Sequence, residues 1–183
     1  VARLILLNGA PGSGKSTLAR RFAEQHPLTL VLDVDLVRGM LGGWLDQPMQ
    51  SGTLARRLAS AMVRTHLAEG LDVIVPQYLG RLEFLRMLQQ LCHDADARFI
   101  EGALISSKAD AVRRFEQRSA TSTCPEHREA AELQRRAGGV EELRAMYDRL
   151  LEVIAARPAT HLIETVEGET DRAYTDLLAV LTN

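Results

Sequence analysis

Gly9-Ala10-Pro11-Gly12-Ser13-Gly14-Lys15-Ser16-Thr17 follows the apolar run Leu4-Ile5-Leu6-Leu7-Asn8 without a break. Its first eight residues have the spacing G-x-x-x-x-G-K-[ST]. Glycines at these positions let the backbone wrap its N–H groups around phosphate oxygens, and a helix beginning at the lysine turns its positive end toward them. Lys15 is long enough to reach β- and γ-phosphates, and the Ser16 hydroxyl suits Mg²⁺. The spacing has this meaning only between a buried strand and a helix, and the flanking residues supply both. Of the 22 basic side chains, Lys15 and Lys108 are the only lysines. A chain so biased toward arginine still has a flexible point charge at the one position where a planar guanidinium would serve poorly. Residues 9–17 are therefore expected to bind the phosphates of ATP.

Around this loop, 183 residues with 46% hydrophobic content make a single globular domain with ample core. A net charge of −2 gives no general attraction to nucleic acid or to an anionic membrane. Cys92 and Cys124 are too few for a disulfide scaffold, which favours a reducing, cytoplasmic setting. No apolar run approaches the ~20 residues that span a bilayer. The chain as it stands starts with Val1 and enters a strand at once, so no signal peptide is expected. Monomer and homodimer both remain open.

Strands are expected at residues 3–8, 29–33, 72–75, 99–105 and 160–164. Helices are expected at 15–26, 35–41, 51–69, 81–93, 107–119, 140–156 and 170–181. The strand runs are continuous rather than alternating, as strands covered on both faces are. On the 51–69 helix, Leu54, Leu58, Met62 and Leu67 are expected to face inward. Strand–helix alternation predicts an α/β fold with a five-stranded parallel sheet flanked by helices in three layers. Residues 119–139 differ in texture, being polar and arginine-rich between Pro125 and Gly138-Gly139. They are expected to form a helical lid over the site, and residues 35–70 the substrate-binding region.

The second strand ends in Asp33-Val34-Asp35, with Arg38 a turn later. Carboxylates at the carboxyl edge of a parallel strand lie where ligands bind in such sheets. If the chain stays extended, Asp33 and Asp35 point the same way, one toward Mg²⁺ and the other toward the proton of a substrate hydroxyl. The competing reading is that one of them caps the next helix. Arg114 and Arg118, four apart, share a helix face. One could stack on adenine and the other neutralise a transferring phosphoryl group, unless both belong to a solvated arginine face. Gln77 and Tyr78 follow the third strand at the ligand edge and are candidate substrate contacts. Cys124-Pro125-Glu126-His127 has no further ligands at zinc spacing. Met40, Trp44 and Met49 read as packing, and Arg128, Arg135 and Arg136 as solvated.

With these residues in view, the chain resembles the P-loop small-molecule kinases: shikimate, gluconate and adenylate kinases, chloramphenicol phosphotransferase and polynucleotide kinase. The Asp33-Val34-Asp35 pair is similar to the Asp-x-Asp of shikimate kinases, which implies that Asp33 assists Mg²⁺ and Asp35 orients or deprotonates the acceptor. Asp35-Leu36-Val37-Arg38 resembles the Asp-x-x-Arg of polynucleotide kinases, whose arginine contacts an acceptor phosphate. Arg114 and Arg118 repeat an adenylate-kinase spacing, implying an adenine stacker and a phosphate clamp. One departure stands out. Val73-Ile74-Val75 runs into Pro76-Gln77 where many relatives have an aspartate, so Mg²⁺ would rely on Ser16, Asp33, phosphates and water. The triple glycine of shikimate kinases is also missing. The expected activity is transfer of the ATP γ-phosphoryl group to a small-molecule hydroxyl, with Lys15, Asp35 and Arg118 catalytic. A nucleotide or nucleic-acid-end acceptor, or a regulatory nucleotide-binding module with no acceptor, are the alternatives.

Overall fold

A computed structural model describes residues 1–121, 123 and 125–182 of the chain. Its centre is strand β1 (Arg3–Gly9). Leu4, Ile5, Leu6 and Leu7 are all fully buried, each contributing about 1.5–3 kcal/mol by leaving water. Because side chains alternate along a strand, these four feed two cores. Leu4 and Leu6 pack with Ala55, Ala59, Val63, Leu85 and Leu88 on one face. Ile5 and Leu7 pack with Leu18, Phe22, Tyr174 and Leu177 on the other.

The remaining strands are β2 (Leu30–Val31), β3 (Val73–Pro76), β4 (Arg98–Ile105) and β5 (His161–Glu164). They form one sheet in the order β2-β3-β1-β4-β5, and every pairing is parallel. The chain goes to one side of β1 for β2 and β3, then crosses to the other for β4 and β5. The carboxyl ends of β1, β2 and β3 thus open onto one crevice, where ligands bind in sheets of this kind.

The helices are α1 (Lys15–Gln25), α2 (Val34–Gly39), α3 (Pro48–Ala68), α4 (Leu82–Asp94), α5 (Lys108–Thr121), α6 (Pro125–Ala137), α7 (Gly139–Ala155) and α8 (Thr170–Thr182). The start of α5 is capped as its sequence suggests: Ser107 Oγ accepts from the Asp110 N–H at 3.0 Å and donates to the Asp110 carboxylate at 2.7 Å. Among the described residues no helix is long and apolar enough to cross a membrane.

Two expectations need correction. Helix α3 begins at Pro48 and buries Gly52, Ala55, Ala59, Val63 and Leu67, whereas Leu54, Leu58 and Met62 are about 40% exposed. From Ala55 onward the buried set recurs every four residues as the leucine set does, so periodicity alone favours neither. The small residues win because they let the helix backbone approach the sheet closely. Strand β2, expected over residues 29–33, pairs only at Leu30 and Val31, and both are half-buried. It is an edge strand, and its ladder ends when Leu32 N–H donates to Ile74 at 2.9 Å.

Candidate active site

The loop between β1 and α1 takes its shape from glycine. Gly14 has φ of +93° and stands where a helix would otherwise have a side-chain cap, so the first N–H groups of α1 face the loop's concavity. Lys15 folds back into that concavity. Its Nζ donates to the carbonyls of Gly9 and Ala10 at 2.9 Å each and approaches Ser13 Oγ at 3.4 Å. Burial and the charge of Arg118 lower its pKa to about 8, against the pull of Asp33 and Asp35.

Asn8, which drew no attention in the sequence, fastens the loop to the neighbouring connection. Its Oδ1 accepts from the N–H groups of Gly9 and Leu79 at 2.8 Å, and its Nδ2 donates to the Leu79 carbonyl at 3.1 Å. The available signal was a lone amide ending a continuous apolar run directly before the loop.

Asp33 and Asp35 come together by the competing route given for them, in which one of the two caps the next helix, and not on an extended chain. Asp33 is the N-cap of α2, and its Oδ1 accepts from the Asp35 N–H at 3.0 Å. The chain turns into helix at Val34, so helix geometry rather than strand alternation sets the two carboxylates. The Asp33 Oδ2 lies 3.4 Å from Ser16 Oγ. Burial, then the Asp35 charge, raise the Asp33 pKa, while backbone N–H groups and Lys15 hold it back. Gln77 reaches the start of α2 and one carboxylate of the pair. Its Oε1 accepts from the Val34 N–H at 3.2 Å, and its Nε2 donates to Asp35 Oδ2 at 3.3 Å. The side chain expected at substrate thus also bonds the Asp35 carboxylate.

Beside Asp35 is a cavity of about 60 Å³, bordered also by Arg38, Arg56, Gln77 and Tyr78. Arg38 is held by Ser51, to which its Nε donates at 3.0 Å, and by the Pro48 carbonyl. Its guanidinium lies 5.1 Å from the Trp44 ring centroid. Burial and Arg56 make the Arg38 charge costlier, and Asp35 offsets part of this.

Helix α5 brings the arginine pair to the opposite side of the loop. Arg118 is close enough to act on the Lys15 charge, and it lies over its own helix neighbour Phe115 at 5.4 Å. Arg114 turns elsewhere, donating to Thr165 O at 3.0 Å and Thr165 Oγ1 at 3.4 Å just past β5. Helix α6 reaches across to the connection between α2 and α3. Arg136 donates to the Leu45 carbonyl at 3.2 Å and lies 3.8 Å from the Asp46 carboxylate, so it is not simply solvated. Cys124 lies outside the described residues. Among those residues no three His, Cys, Asp or Glu side chains cluster at metal-binding distance.

Comparison with known proteins agrees with this layout. The chain is similar to a gluconokinase from Sinorhizobium meliloti, with a TM-score of 0.62 at 16% identity over 97% of this chain and 91% of that one. It is also similar to the tunicamycin resistance protein of Deinococcus radiodurans, with a TM-score of 0.59 at 17% identity over 98% and 96%. At such identities the likeness concerns the fold, which is the kinase-like P-loop fold expected from the sequence. No curated protein matches the chain in sequence. A family model described as an AAA domain (AAA_33) matches residues 4–143, from the first buried leucine of β1 into α7, and the chain belongs to that family.

Proposed function

We propose that this chain transfers the γ-phosphoryl group of ATP to a hydroxyl group of a small molecule. The observation that carries the reading is the position of Asp35. It borders a cavity of its own while acting on the charge of the loop lysine. A donor grip and an acceptor carboxylate so arranged suit phosphoryl transfer, in which positioning and charge stabilisation do most of the work.

Residues 9–17 cradle the phosphates through backbone N–H groups, and Lys15 exchanges its contacts with the Gly9 and Ala10 carbonyls for phosphate oxygens. Asp35, oriented by Gln77, accepts the proton of the acceptor hydroxyl. The hydroxyl oxygen then bonds to the γ-phosphorus as the bond to the β–γ bridging oxygen breaks, leaving ADP. Arg118 neutralises charge on the transferring group, and Arg114 holds the nucleotide near Thr165. Ser16 and Asp33 offer a hydroxyl and a carboxylate oxygen 3.4 Å apart, a hard-oxygen pair that fits Mg²⁺ with phosphate and water completing its shell. Held by these two residues, Mg²⁺ would supply positive charge against the transferring phosphates. Residues 119–139 serve as a lid that excludes water, a role supported by the contact of Arg136 with the connection before α3. Residues 35–70 contribute the acceptor side, all within one domain acting in the cytoplasm.

The test is Asp35→Asn. The variant is expected to bind an ATP analogue as the parent does and to lose phosphoryl transfer by at least about 100-fold, the range of general-base contributions. Undiminished transfer sinks the assignment of Asp35.

A further inference from the structure

We infer that Tyr78 is a positioning residue: its hydroxyl ties the connection between β3 and α4 to helix α7, and so aims Gln77 at the Asp35 carboxylate. The consequence for turnover rests on the proposed phosphotransfer; the tie itself rests on geometry.

Three consecutive residues of this connection each hold a different part of the site. Gln77 bonds the Val34 N–H and Asp35 Oδ2 at the start of α2. Leu79 is bonded through its backbone to Asn8, directly before the phosphate loop. Between them, Tyr78 donates its hydroxyl proton to the Met146 carbonyl of α7 at 3.0 Å. Arg149, paired with Glu142 at 2.5 Å, is close enough to act on the same phenol oxygen. The ring borders the cavity beside Asp35, yet its polar atom is engaged by α7.

The chain is shaped to admit this phenol. A Cβ on Gly80 would overlap the Tyr78 hydroxyl and lie 2.9 Å from its Cζ, so a side chain there would displace the ring from α7. The ring packs against the cluster of Ala10, Ala111, Tyr147 and Leu150. Met146 lies inside α7, where helix geometry already gives its carbonyl a backbone donor. The bond therefore serves the connection and not the helix.

Distance explains why Gln77 needs such an anchor. Its two side-chain bonds are 3.2 and 3.3 Å long, at the outer limit of a hydrogen bond, and a shift of about half an ångström opens both. The Gln77 N–H is fixed to the Leu7 carbonyl at 3.1 Å, which holds one end of the connection, and Tyr78 and Leu79 hold the other. Cutting the Leu79 anchor would disturb the phosphate loop as well, because Asn8 also bonds Gly9. Cutting the Tyr78 anchor leaves that loop in place, so its effect falls on the acceptor side.

Tyr78→Phe removes the hydroxyl and keeps the ring. In the isotope-labelled full chain, the proton–nitrogen signal of the Gln77 side-chain amide is identified by its absence from Gln77→Leu. In Tyr78→Phe that signal is expected to move to where an exposed glutamine amide resonates. Turnover is read with ATP, Mg²⁺ and a panel of polyols, sugar acids and hydroxylated antibiotics. On any compound that the parent phosphorylates, kcat of Tyr78→Phe is expected to fall about fivefold with KM for ATP within about twofold, since aim and not donor grip is lost. In the Gln77→Leu background the same substitution is expected to cost nothing further, because a residue that acts through another is silent once that other is gone. An unmoved Gln77 signal overturns the inference, as does an unchanged kcat, a loss that multiplies with that of Gln77→Leu, or a KM for ATP that rises as kcat falls. If the parent phosphorylates no member of the panel, the kinase reading fails, and the Gln77 signal alone decides on the tie.

Discussion

Gly12 lies against the backbone of Phe115: a Cβ on Gly12 would fall 3.0 Å from the Phe115 nitrogen and 3.2 Å from its Cα. The phosphate loop is thereby set at a fixed distance from the helix that carries Arg114 and Arg118. Gly12 also has φ of +84°, which side chains adopt at a cost. Gly12→Ala is expected to combine backbone strain with overpacking, for a loss of about 2–4 kcal/mol. Urea denaturation measures it, and a change under about 0.5 kcal/mol would mean that the loop and helix slide apart freely.

Lys15 has a pKa of about 8 rather than 10.5, so the fold penalises its charged form. Below pH 8 the penalty is complete. Between 8 and 10.5 the unfolded chain binds more protons than the folded one, so this group makes stability rise with pH. Nucleotide phosphates favour the charged ammonium, and affinity for an ATP analogue is therefore expected to fall over the same window. Parallel thermal melts of the free chain and calorimetric titrations from pH 7.5 to 10 check both signs. Affinity that stays flat across the window contradicts the role of Lys15.

Asp33 caps α2 and approaches Ser16, and the two roles separate by substitution. Asn caps as well as Asp, while Ala forfeits about 1 kcal/mol. Burial and Asp35 already disfavour the Asp33 charge, so its removal does not destabilise. Asp33→Asn is expected to keep stability within about 0.5 kcal/mol, the range of changes that break no cap. The Mg²⁺ needed for half-maximal turnover should rise at least about tenfold, as for a lost metal-site ligand or support. Equal destabilisation by Asn and Ala would refute the cap, and an unmoved Mg²⁺ requirement would refute the metal role.

Asn8→Ala removes three buried hydrogen bonds and leaves the Leu79 N–H and carbonyl without that partner. A loss of about 2–4 kcal/mol follows from unsatisfied buried groups. Denaturant titration gives the number, and a cost below 1 kcal/mol would show that another group takes over.

Gln77→Leu keeps the volume and loses the bond to Asp35 together with the one to the Val34 N–H. Turnover is expected to fall about tenfold while analogue affinity holds, because orientation rather than nucleotide grip is lost. A change in analogue affinity of similar size would move Gln77 to the donor side.

The sheet and its phosphate loop were legible because their causes are local in sequence. A continuous apolar strand, glycines at fixed offsets and a lysine state the loop outright. Asp33 and Asp35 were legible as a pair, but whether the chain stayed extended or Asp33 capped the next helix was not, because capping is a three-dimensional competition decided at Val34. The face of α3 was misread since Leu54 and Leu58 carry more hydrophobicity than Ala55 and Ala59, and hydrophobicity does not register how closely a helix can approach a sheet. Asn8 and Arg56 act on partners about 70 and 18 residues away respectively, and such pairings leave no trace in a spacing.

The two-residue ladder of β2 has one more consequence. The loop that grips nucleotide grows from a strand paired on both sides, whereas Asp33 and Asp35 hang from an edge held by few backbone bonds. Amide protons of β2 and α2 should therefore exchange through openings far cheaper than those of β1. Under the proposed phosphotransfer, the acceptor is therefore expected to leave before the nucleotide, because a small local opening frees the edge but not the strand that carries the loop.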